Sequence, residues 1–231
     1  IGRKFPYKLL CTVLRLEEEQ SGPEGGRSLL SCLDKALDLF IKEGVLEEEK
    51  TSEDEEVLAF CHDLLRELLN DNLSMMRTMR AAHRASALAK MDYFSGQLDG
   101  YAYEIAEHYE SSKDWNLALP WLARAARQAR SGWDLQLALK LLTKAEEELS
   151  KQRDVDVEFH CQLLEAKGEI FSAQGRYRDA SACYTRAFKL AEGGGEPKAK
   201  AHLIFLRGDA ARMVNDFDNA ESSFRKALSV S

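Results

Sequence analysis

The sequence predicts a mainly α-helical chain in two parts: a small module of helices and a β-hairpin over residues 1–91, then a stack of helical hairpins over residues 92–231. Three observations predict it. Apolar residues recur at spacings of three and four along most of the chain after residue 62. Two short apolar runs, residues 45–46 and 57–60, flank an acidic stretch, as two strands joined by a solvated turn would. A five-position pattern of aromatic and small residues returns three times in the second half.

Composition bounds the function. The chain has 231 residues, 45% hydrophobic and 31% charged, enough for one large or two small domains. Its longest apolar runs, such as residues 58–61, fall far short of the roughly 20 residues that span a bilayer, so no membrane partner is expected. Cys11, Cys32, Cys61, Cys161 and Cys183 are odd in number and widely spaced, which indicates neither a disulfide framework nor a metal site and fits a reducing, cytoplasmic compartment. A net charge of -7 argues against nucleic acid as the default partner. Because the chain opens at Ile1 without Met or a leader, it is expected to be a piece of something longer.

Residues 5–16 place Leu9, Leu10, Val13 and Leu14 on one helical face, with Pro6 accommodated in the first turn. Residues 17–27 turn acidic and then glycine-rich, a surface insertion. Ser28 is placed to cap a second helix carrying Leu33 and Leu37, which Gly44 would terminate. The hairpin follows, with residues 47–56 as an acidic wing. From Asp63 a helical pattern runs to about Lys90, with a break expected at residues 70–72, Ser74 as a cap, and Leu65, Leu68, Met75 and Met79 in its stripe. Helix, helix, strand, wing, strand, helix is the order of a winged helix. Residues 1–91 nevertheless hold 13 Lys+Arg against 17 Asp+Glu, and phosphates would repel that wing, which disfavours reading of DNA.

In the second half, Tyr109, Trp115, Ala118, Leu122 and Ala125 align with Phe171, Tyr177, Ala180, Tyr184 and Ala187, and again with Ala211, Phe217, Ala220, Phe224 and Ala227. All three sets have gaps of 6, 3, 4 and 3. Small residues at Ala118, Ala180 and Ala220 let the second helix of a pair approach the first, and the aromatics fill the space beside the turn. Gly168 and Gly208 relieve crowding in the first helix, while Gly175 and Asn215 take the turn position. A half-copy, Trp133, Leu135, Ala138, Leu142 and Ala145, makes one helix serve two pairs. The longer spacing between the last two copies is taken up by a glycine loop at residues 193–197.

This pattern of glycine, aromatic, glycine, aromatic, alanine, aromatic, alanine resembles the tetratricopeptide repeat family over roughly residues 99–231, with Lys113 replacing the turn glycine in the first copy. The resemblance implies an α-solenoid that presents a concave surface to a protein or peptide, and further repeats beyond Ser231. The acid excess suggests a partner with basic patches.

The segment at residues 60–69, with His62-Asp63 followed by Leu-Leu-Arg-Glu, resembles the end of the winged-helix domain in STAND-class signalling ATPases, and residues 1–5 resemble its start in bacterial activators and soluble adenylyl cyclases. What that resemblance implies is a nucleotide-sensing role for His62 against the phosphates of ADP, with Asp63 orienting the imidazole. The alternative is that His62 only caps the hairpin-to-helix junction. No phosphate loop of the GxxxxGK[ST] type is present, so ATP or ADP would be held by a parent protein and no cofactor by this chain.

No catalytic residue is expected, because no nucleophile stands with a base. His83 is read as a packed core residue, His160 and Cys161 as neighbours unable to share a metal, and residues 146–148 as a solvated acidic face. The resulting expectation is a non-catalytic regulatory and protein-binding arm of a larger STAND ATPase or nucleotide-cyclase-like protein, working within a larger assembly. The rival is a structural adaptor in a cytoskeletal or ciliary complex. Packing residues expected to carry the repeats are Trp115, Ala118, Ala125, Gly168, Tyr177, Ala180, Ala187, Gly208, Phe217, Ala220 and Ala227.

Overall fold

A computed structural model describes residues 3–21, 29–50, 55–64, 66–67, 76–152, 156–193 and 196–230. Among them the chain is mainly helical, with one three-stranded sheet. It divides into two compact units, Ile1–Ala118 and Leu119–Ser231.

In the first unit β1 (Lys4–Pro6), α1 (Tyr7–Ser21), α2 (Leu29–Lys42), β2 (Leu46–Lys50) and β3 (Glu56–Phe60) precede α3 (Met76–Tyr93) and α4 (Ala102–Ser112). The sheet order is β1-β3-β2, antiparallel throughout, with Phe5 opposite Leu58 and Leu46 opposite Phe60. Its apolar face meets Leu9 and Val13 of α1, Leu33 and Leu37 of α2, and Ala85 and Ala89 of α3 in one core.

Two expectations are corrected here. Pro6 does not start a helix: residues 4–6 form a strand and the helix begins at Tyr7. The residue before a proline is driven to extended geometry, and an edge strand tolerates the missing N–H. The acidic wing is also shorter than residues 47–56, because β2 runs through Glu47, Glu48 and Glu49 to Lys50. Edge strands carry such charges readily, and Glu49 is paired with Lys4 at 2.7 Å. Gly44 sits at φ +69° and closes α2 through Val45 N–H to Phe40 O at 2.9 Å. The expected cap at Ser28, the glycine-rich insertion, the wing tip and the break at residues 70–72 with Ser74 lie outside the described residues.

The helix α5 (Trp115–Ser131) runs through the division. In the second unit α6 (Leu135–Ser150), α7 (Val157–Ala173), α8 (Tyr177–Ala191), α9 (Pro197–Met213) and α10 (Phe217–Val230) each pack on the next. The turns that begin α5, α6, α8 and α10 are one device repeated. Lys113, Trp133, Gly175 and Asn215 all have φ between +62° and +74°, and each stands two residues before its helix. The residue after each one donates its N–H five residues back, Asp114 to Tyr109 O, Asp134 to Ala129 O, Arg176 to Phe171 O and Asp216 to Ala211 O, at 2.8 to 3.0 Å. That bond satisfies a carbonyl the ending helix would leave open.

Close approach within the pairs rests on missing side chains. A Cβ at Gly168 would clash with the Tyr184 ring, 2.7 Å from Cζ, and one at Gly208 would lie 2.9 Å from Phe224 Cε1. Ala180, Ala187 and Ala138 are fully buried, and Ala220 and Ala227 nearly so. Among the described residues no helix is long and apolar enough to cross a membrane.

Candidate functional site

A polar groove of about 470 Å³ lies at the turn end of α8, α9 and α10. Tyr177, Arg178 and Ser181 from the first turns of α8 form one wall. Arg207 and Ala210 come from α9, and Asp216 and Asn219 from the start of α10. The geometry of the first turn of α10 fixes several of these side chains. Asp216 caps α10, accepting from Asn219 N–H at 3.3 Å and from its Nδ2 at 2.6 Å. Ser223 donates to Asn219 O at 2.7 Å and accepts from Arg207 Nη2 at 3.2 Å, so one edge of the half-buried guanidinium that lines the groove is anchored.

The charge of the groove follows from what its neighbours do. Asp179 is held by Arg176 at 2.8 Å and Asp209 by Arg212 at 2.7 Å, while Asp216 serves its cap. Arg178 and Arg207 therefore set the local sign. The unit as a whole agrees: residues 119–231 hold 18 Lys+Arg and 16 Asp+Glu, while residues 1–118 hold 14 and 23. The acid excess is concentrated in the first unit.

Residues 146–148 are not all a solvated face. Glu146 has a side chain only 12% exposed and binds Lys167 Nζ and Arg186 Nη2, each at 2.6 Å, with His160 Nε2 at 3.9 Å. Burial opposes its charge, but hydrogen bonds and charge from Lys167 and Arg186 outweigh that and hold the carboxyl below the usual carboxylate range. Burial pushes the His160 imidazole down and keeps it neutral near pH 7. The cluster ties α6, α7 and α8 together by charge-assisted bonds. Its signal in the sequence is Lys167 standing between Leu163-Leu164 and Ile170 on an otherwise apolar face.

In the first unit, His83 of α3 is more than a packed core residue. Its Nδ1 meets His108 Nδ1 of α4 at 3.0 Å, so one neutral ring donates to the other. Burial lowers both, His108 to about 2. The unfolded chain, with histidines near 6.5, therefore takes up protons first. Stability is full above pH 6.5 and falls as pH drops below it. The expected result is a loss of about 1 kcal/mol between pH 7.5 and 5.5 from His108 alone. Urea unfolding at the two pH values, compared with His108→Gln, measures it.

Asp63, expected to orient His62, lies 3.2 Å from Arg3 and 4.0 Å from Arg66, and both His62 and Asp63 are exposed. Among the described residues no group of three or more His, Cys, Asp or Glu is arranged to hold a metal, and the cysteines are free thiols.

Residues 163–198 match the sequence profile of the tetratricopeptide repeat family. They begin midway along α7 and cover α8, so the match falls on the repeat with both Gly168 and Gly175. No curated protein sequence matches the chain. Aspartyl phosphate phosphatase F from Bacillus subtilis superposes with a TM-score of 0.50 at 13% identity, covering 96% of this chain and 62% of that one. That likeness is one of fold. BtubC (BKLC) from P. vanneervenii gives 0.46 at 11% identity, covering 96% of this chain and 89% of its own. MamA AMB-1 gives 0.44 at 14%, covering 71% and 86%. Of the groove, the matched residues supply Tyr177, Arg178 and Ser181.

Proposed function

We propose that this chain is a non-catalytic adaptor whose tetratricopeptide repeats capture an extended acidic segment of a partner protein in the α8–α10 groove. The observation that carries this reading is the pair of guanidinium groups, Arg178 and Arg207, in a polar groove whose neighbouring carboxylates are occupied. A carboxylate-bearing peptide would pair with Arg207 without breaking its bond to Ser223. The test is a titration of the chain with a fluorescein-labelled twelve-residue Asp/Glu-rich peptide. Arg178→Glu with Arg207→Glu is expected to weaken binding tenfold or more, and a Lys-rich peptide of equal length should not bind. Equal affinity in the charge-reversed protein would sink the reading.

Support for a regulatory setting comes from element order. Two helices, a β-hairpin with a third strand beside it and a helix precede the repeats, in keeping with a winged helix followed by repeats as in STAND ATPases and cyclase-like proteins. In that reading ATP or ADP binds a nucleotide domain of the parent, and His62 with Asp63 reports its state to the repeats. His62→Ala in the parent should change nucleotide turnover at least threefold. Unchanged turnover with intact partner binding would leave a structural adaptor.

A further inference from the structure

The groove between α8, α9 and α10 offers more hydrogen-bond donors than one carboxylate can accept. Arg178 is exposed there and makes no hydrogen bond or ion pair among the described residues. Arg207 directs Nε and Nη2 at the Ser223 hydroxyl, at 3.4 and 3.2 Å, which leaves Nη1 unused. Ser223 gives its own proton to Asn219 O, so toward Arg207 it acts as an acceptor and orients the guanidinium. Ser181 adds a hydroxyl that bonds no other described group.

The nearby carboxylates do not compete for these donors. Asp179 is paired with Arg176, and Asp209 with Arg212. Asp216 lines the groove and opposes an anion, but it stands at the start of α10, where Asn219 holds both its oxygens. The start of α8 differs: its N-cap, Arg176, contributes no side-chain bond to the first turn, so the positive end of the helix adds to the field of Arg178. An anion is therefore favoured at the α8 side, among Arg178, Ser181 and Arg207. These residues belong to α8 and α9, each packed between two described helices.

We propose that this corner of the groove is a subsite for a phosphorylated serine or threonine in the partner's extended segment, which rests on the reading that the groove captures such a segment. A carboxylate brings two oxygens and a single charge, whereas a phosphate monoester brings three terminal oxygens and a charge of about -1.5 to -2 at pH 7. Guanidinium forks match that geometry. Arg207, anchored by Ser223, and the exposed Arg178 supply the charge, and the Ser181 hydroxyl supplies a further donor. Acidic residues elsewhere in the segment give long-range attraction, and the phosphate fixes its register.

Three fluorescein-labelled peptides of Gly, Ala and Gln, alike except for a central serine, phosphoserine or aspartate, are titrated against the whole chain by anisotropy beside the Asp/Glu-rich peptide. The phosphoserine peptide is expected to bind saturably and about tenfold tighter than its aspartate twin. Arg178→Gln, at an exposed position, and Arg207→Lys should each remove most of that advantage, with far-ultraviolet circular dichroism unchanged. Inorganic phosphate should compete only at concentrations far above the peptide's. A phosphoserine peptide that binds no tighter than its aspartate twin, or that binds the Arg178→Gln chain equally well, overturns the proposal. Should the Asp/Glu-rich peptide then still bind, and lose affinity to Arg178→Glu with Arg207→Glu, the groove keeps its acidic segment without the phosphate. If neither peptide binds, both readings fall. Displacement by inorganic phosphate at the peptide's own concentration also overturns the proposal, since the site then holds a free anion.

Discussion

Replacing Ala180 by arginine is expected to unfold the α7–α9 part of the repeats, at a cost of more than about 4 kcal/mol. Ala180 is fully buried and shares its cluster with Tyr184 of its own helix and Ala210 of the next. A guanidinium there displaces one helix from both neighbours and finds no carboxylate, since Asp179 and Asp209 are taken. The same substitution at Ala220, itself buried, should cost roughly 2 kcal/mol less, because among the described residues α10 packs on α9 while α8 packs on both α7 and α9. Urea denaturation followed by far-ultraviolet circular dichroism gives both values. Equal costs would mean that α10 is covered in solution.

Replacing Glu146 by leucine is the second large effect. It leaves Lys167, with a side chain 11% exposed, as an uncompensated cation between α6 and α8. Breaking a buried pair from one side costs about 3 kcal/mol, with Arg186 adding little because its side chain is half exposed. The double variant Glu146→Leu with Lys167→Met should recover most of that loss, since apolar residues of similar volume pack there without stranding a charge. The same denaturation experiment measures it. A double variant as unstable as the single one would mean that the ion cluster is itself a net source of stability.

Both effects bear on what a sequence discloses. The repeat was legible because its constraints are local. Residues two before a helix must turn left-handed, and residues facing a partner helix at close range must be small, so Gly175, Asn215, Gly168 and Ala180 stand out at fixed offsets. Lys113 and Trp133 meet the same turn requirement with side chains that do not advertise it. Glu146 was hidden for the opposite reason. A run of glutamates on one helix reads as solvated until Lys167 and Arg186, 21 and 40 residues away, arrive from two other helices. The strand at residues 4–6 was masked because Pro6 fits a helical first turn as well as an edge strand, and only pairing with β3 decides. The groove needed three helices at once, and its sign was obscured by the whole chain's net charge of -7, whose acid excess lies in residues 1–118.

The most direct test of partner capture by the α8–α10 groove is amide chemical-shift mapping of the 231-residue chain during titration with the Asp/Glu-rich peptide. Shifts should concentrate at Arg178, Ser181, Arg207, Asn219 and Ser222, and weaken with salt as exposed charge pairs do. Shifts confined to residues 3–50, or none at peptide concentrations that saturate binding, would contradict it.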